Sequence, residues 1–167
     1  MVRLRRVSLD AVTQGALALE PGERILASAK DAEGRPVVAS DRALWLQRRP
    51  PEYSRVPWHE VARASFADDL LTIVLTTAPL GSATALRIPL AEAGRLPAVV
   101  RERVTATVAF DQHVRLRGRS GVRVVARRRP GDDVLIWGFV PDEGLSLTAA
   151  EVALAQRAVG DLRAEYG

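Results

Sequence analysis

Between Glu23 and Leu90 short apolar, β-branched runs recur about every ten residues, with a turn signal in almost every gap. The runs are "RILASAKD", "PVVAS", "ALWLQRR", "WHEVARASF", "LLTIVLTT" and "TALRIPL". Pro21-Gly22-Glu23, "EGR", Asp41-Arg42, Asp68-Asp69 and "APLGSA" separate them, and "RPPEYSRVP" reads as a proline-punctuated loop. Runs this short cannot cover a core as helices. They predict a mainly β fold of six or seven antiparallel strands, as a sandwich or small barrel.

The periodicity changes after Leu90. Leu96, Val99, Val100 and Val104 form one helical stripe, with Pro97 in the first turn. Beyond it "RVTATVAF" alternates Val104, Ala106, Val108 and Phe110 and predicts a strand, as do "HVRLRG", "VRVVARR" and "VLIWGFV". Thr148 and Glu151 make a capping box, followed by a stripe of Val152, Ala155, Val159, Leu162 and Tyr166. The chain divides into an N-terminal segment (1–20), a β unit with its helix (21–103), and a β-meander with a final helix (104–167). The last part is either an extension of the first sheet or a small second domain. Trp58, Leu71, Ile73, Leu75, Ile88, Val99 and Val100 are the expected core, and Trp45 and Trp137 also read as packing residues.

The start carries a basic head, but Asp10 and Gln14 interrupt what would be the apolar stretch of a signal peptide. A short amphipathic helix fits better, with Leu9, Val12, Ala16 and Leu19 on one side and Ser8 as N-cap. No apolar run reaches the roughly 18 residues of a membrane span. The expected location is the cytoplasm.

The chain has no cysteine, which excludes disulfides, thiol catalysis and cysteine-based metal sites. Two histidines, His59 and His113, make a poor basis for a metal site. His59 reads as a surface residue beside Trp58. "GRSGV" lacks the nucleophile-elbow spacing, and no phosphate loop or dinucleotide fingerprint occurs. Asp68-Asp69 and Asp132-Asp133 lie in turns, where aspartate serves local hydrogen bonds. The expectation is a protein that is not an enzyme, with no cofactor and no metal. A small enzyme without a recognisable motif ranks third among the readings.

Three segments carry a family resemblance: Pro21-Gly22-Glu23; Val38-Ala39-Ser40-Asp41-Arg42-Ala43-Leu44; and Trp58-His59-Glu60-Val61. With the strands around them, over about residues 10–103, they resemble a bacterial pleckstrin-homology-like (PH-like) domain of actinobacterial type. The resemblance implies a bent antiparallel sheet, or partly open barrel, of seven strands capped by a helix. It implies no activity, and points to a binding or scaffold module.

All basic residues but Lys30 are arginine, in keeping with a GC-rich coding bias. The net formal charge is +4. Arg115, Arg117, Arg119, Arg123, Arg127, Arg128 and Arg129 exceed it alone, so the rest of the chain is mildly acidic. A hairpin with the loop Arg119–Gly121, and Gly121 left-handed, sorts its strands by parity. Val114, Leu116, Val122, Val124 and Ala126 then share an apolar face. His113, Arg115, Arg117, Arg123 and Arg127 share the other, with Arg117 opposite Arg123. Arg115, Arg117, Arg123 and Arg127 are the candidate partner-binding residues. The partner expected first is an acidic protein surface. A nucleic acid held by the hairpin 113–129 is the alternative, and anionic lipid is a further one. Stacking aromatics beside the arginines are scarce, which counts against nucleic acid. The plain structural reading is a solvated face with internal ion pairs to Asp111, Asp132, Asp133 or Glu143.

Overall fold

The computed structural model describes residues 9–76, 84–132 and 134–167. Strands β1 (Ile25–Asp31), β2 (Pro36–Ser40), β3 (Ala43–Arg49), β4 (Glu52–Pro57), β5 (Val61–Ala67), β6 (Leu70–Leu75) and β7 (Ala85–Glu92) form one sheet. Its order is β4-β3-β2-β1-β7-β6-β5, every pairing is antiparallel, and the sheet curls into a half-barrel. Helix α2 (Leu96–Thr107) packs across the open side, against β5, β1 and β2.

Side-chain alternation explains the curl's two apolar layers. Val37 and Ala39 of β2 face the main core with Leu44, Leu46, Trp58, Val61, Leu71, Ile73, Ile88 and Leu90. Val38 points the other way and joins Leu17, Ala43 and Trp45 in an outer cluster. Leu96, Val99, Val100 and Val104 of α2 close the main core, as their spacing predicts. Leu75 is only half-buried at its margin.

The second sheet has three strands, β8 (Val108–Arg117), β9 (Ser120–Arg128) and β10 (Leu135–Pro141), in the order β10-β9-β8. Helix α3 (Ala149–Tyr166) covers one face through Ala155, Ala158, Val159 and Leu162, over Val122, Val124 and Phe110. Its capping box is formed by Thr148 and Glu151. Among the described residues no helix is long and apolar enough to cross a membrane.

Several local expectations are corrected. Residues 52–57 form β4 and are not loop; the prolines stand at the margins of an edge strand, where a missing N–H does least harm. Trp58–Glu60 is a 3-10 turn that swings Trp58 into the core, where its indole N–H donates to the Ser40 carbonyl at 2.9 Å. Residues 104–107 continue α2 instead of starting a strand, because Val104 belongs to the buried helical stripe; the junction after residue 103 therefore falls inside a helix. Helix α1 (Ala11–Ala16) is capped by Asp10, whose carboxylate accepts from the Thr13 N–H at 2.7 Å. Leu17 is its anchor, whereas Val12 is exposed. Ser8, the "APLGSA" turn and Asp133 lie outside the described residues.

Candidate functional site

The arginine hairpin turns at Gly118-Arg119 and not over Arg119–Gly121, so the partner of Val114 shifts by four residues, from the expected Ala126 to Val122. Gly118 takes the positive φ that the first position of a type II′ turn requires. Gly121 is needed for a different reason: a Cβ there would lie 2.0 Å from the Val114 carbonyl oxygen. The shift is an even number of residues, so Val114 and Val122 still share the α3 face. Arg123 now sits opposite His113, and a bulge separates Arg115 from Arg117.

The four candidate arginines therefore do not form one face. Arg117 reaches α3 and binds the Glu151 carboxylate through two nitrogens at 2.7–2.9 Å. Glu151 is held below the usual carboxylate range by the Thr148 main-chain N–H first and by Arg117 next. Arg123 pairs with Asp111 at 2.6 Å. Arg115 is exposed and has no acidic partner among the described residues. Arg127, expected on the surface, is buried. A bulge between Val108 and Phe110 brings Arg127 opposite Val108, and its guanidinium enters the junction between the two sheets. There it donates to the carbonyls of Val104 and Ala62 and to the Thr107 hydroxyl. Burial lowers its proton affinity, partly offset by Asp111.

The three resemblance segments converge at one end of the first sheet. Ser40 and the Trp45 indole N–H, the latter at 3.3 Å, both donate to one buried Glu23 oxygen. The other accepts from the Glu20 N–H at 2.9 Å, with Arg55 beyond it at 3.7 Å. Arg42 and Arg55 both bind Glu20, and Arg55 lies over the Trp45 ring. These residues form one partly buried polar network at that end of the sheet.

Beside this network a cleft of about 330 Å³ opens where the two sheets and α2 meet. Asp41 and Trp58 border it from the first sheet, Arg103 and Thr107 from α2, and Arg128 to Asp132 from the β9–β10 connection. Arg129 is paired with Asp132 at 2.6 Å, which holds the aspartate below its usual range. Arg103 binds Glu102 through a terminal nitrogen, while its Nε is shielded and has no hydrogen-bond partner. His59 nearby is half-buried, not the surface residue expected, and burial lowers its proton affinity. Three guanidinium groups, of Arg103, Arg128 and Arg129, and two carboxylates, of Asp41 and Asp132, line the cleft among the described residues. Its size is within the range of ligand pockets, and its groups suit bidentate recognition of carboxylates or phosphates. Among the described residues no three histidine, aspartate or glutamate side chains come together as metal ligands.

The cleft was not legible beforehand, because Arg103 lies outside the arginine-rich stretch and sits there only through the packing of α2. Its signal was the i, i+4 spacing to Val99 and Thr107 on the helix. No family model matches the chain, and no curated protein matches it significantly.

Proposed function

We propose that the chain is a non-enzymatic, cytoplasmic binding module of PH-like type whose ligand is an acidic segment of another protein. The observation that carries this reading is the meeting of Arg103, Arg128 and Arg129, from α2 and the β9–β10 connection, around one cleft. The curled seven-stranded sheet, its capping helix and the convergence of the Pro-Gly-Glu, Ser-Asp-Arg and Trp-His-Glu segments support the PH-like part.

The test is fluorescence anisotropy with a labelled glutamate-rich peptide at rising salt. Binding should weaken about tenfold, a loss near 1.4 kcal/mol, in an Arg103→Ser, Arg129→Ser double variant whose urea midpoint is checked in parallel. A single-stranded oligonucleotide bound in place of the peptide, with a steep salt dependence, would transfer the reading to nucleic acid. Peptide binding that survives the double change unaltered would refute the site.

A further inference from the structure

Among the described residues strand β8 lies at the edge of the second sheet and pairs with β9 alone. It is ten residues long, and its outer row of main-chain donors and acceptors has no neighbouring strand among the described residues. From Phe110 to Arg115 its pairing is regular, between two bulges. We propose that β8 pairs antiparallel with β8 of a second copy of this chain, joining two three-stranded sheets into one of six strands.

The sequence along β8 is complementary to itself. A two-fold axis perpendicular to the sheet keeps each side chain on its own face, so facing residues must share parity. Centred on His113, the pairing sets Asp111 of each copy opposite Arg115 of the other. On the α3 face it sets Gln112 opposite Val114, and brings Phe110 beside Leu116 at the bulged end of the pairing. Phe110, Val114 and Leu116 already belong to the apolar cluster beneath α3, so the joint extends an existing core. Opposite charges and aromatic–aliphatic pairs facing across strands are each stabilising.

Competing registers are poorer. Centring on Asp111 or on Arg115 opposes like charges. Centring on Gln112 sets Asp111 against His113, whose ring nitrogen is already engaged by Asp142 at 3.0 Å. Arg115 has no acidic partner among the described residues, and Asp111 gives only one oxygen to Arg123, so the second can receive Arg115 of the other copy.

Sedimentation equilibrium over a range of protein concentrations tests the proposal. The expected species at high concentration has twice the 18.1 kDa chain mass. Arg115→Glu, at an exposed position, should return the mass to one chain while leaving the urea midpoint unchanged. The register is read by cysteine crosslinking. Cα atoms of facing strand residues lie about 4.5–5.5 Å apart, within disulfide reach. His113→Cys should therefore crosslink under mild oxidation, and Gln112→Cys should not. A single-chain mass at every concentration, a dimer indifferent to Arg115→Glu, or crosslinking at residue 112 in place of 113 would each overturn the proposal.

Discussion

The buried Arg127 guanidinium donates to the Val104 carbonyl at 2.9 Å, joining the second sheet to the last turn of the helix that caps the first. The Ala62 carbonyl, beside the bulge in edge strand β5, takes its other terminal nitrogen. One buried side chain thus donates to both a helix end and a strand edge, adding to the Thr107 hydroxyl that also serves the Val104 carbonyl. Arg127→Leu takes the side-chain donor from the Ala62 carbonyl and leaves the Val104 carbonyl with the Thr107 hydroxyl, at 2.8 Å, and should cost about 2–4 kcal/mol in urea unfolding. Arg123→Leu, on the same strand, is the control. A loss no larger for Arg127 than for Arg123 would show that the junction does not depend on this contact.

Glu23 is the second buried charged group with a structural task. Removing its carboxylate strips the acceptor from Ser40 and the Trp45 indole. Glu23→Ala should destabilise by about 2–4 kcal/mol and red-shift tryptophan emission as water reaches Trp45. An unchanged melting temperature would contradict the buried network.

Burial separates two neighbouring β6 positions. Ile73 is fully buried, and Ile73→Ala should cost about 2–5 kcal/mol. Leu75 is half-buried, so Leu75→Ala should cost roughly 1–2 kcal/mol. Chemical denaturation of both variants checks the order, and a larger loss at Leu75 would reverse the placement.

The exposed pairs of the hairpin predict a small effect. The Arg117→Ser, Arg123→Ser double change removes the arginine partners of Glu151 and Asp111; both arginines are exposed, and Glu151 keeps its hydrogen bonds from Thr148. The expected loss is at most about 1 kcal/mol, and it should shrink as salt is raised. A gain in stability would restore the like-charge pair that the sequence suggested.

Acid stability follows from carboxylates held below their ordinary value. Burial raises Asp31, but the Arg35 side chain and the N–H groups of Arg35 and Glu33 outweigh it. Burial likewise raises Asp142, and His113 with the Gly121 N–H outweighs it. Each group binds its proton more readily in the unfolded chain. Its contribution is complete above the ordinary value of 3.8 and is lost as pH falls through the lower folded value. The urea midpoint should therefore decline as pH falls from about 5 towards 2, and less steeply in Asp31→Asn and Asp142→Asn variants. An acid slope identical in all three proteins would exclude these two carboxylates as its source.

By itself the sequence determined what local periodicity and turn chemistry control. Strands of period two, the Asp68-Asp69 turn with both residues at positive φ, the α2 stripe and the Thr148–Glu151 cap were all legible, because each depends on residues a few positions apart. Strand β4 was hidden by its prolines: only pairing with β3 makes it a strand. The hairpin faces were legible by parity, but its register and the fate of Arg127 were not. Bulges at both ends of β8 break the parity rule, and the space that receives Arg127 exists only once α2, β5 and β9 have packed together. The same holds for the cleft of Arg103, Arg128 and Arg129. Charges far apart in sequence become a site only through tertiary packing, since desolvation and partner geometry, which decide whether an arginine is a surface charge, an ion pair or a buried fastener, are not properties of any local stretch of chain.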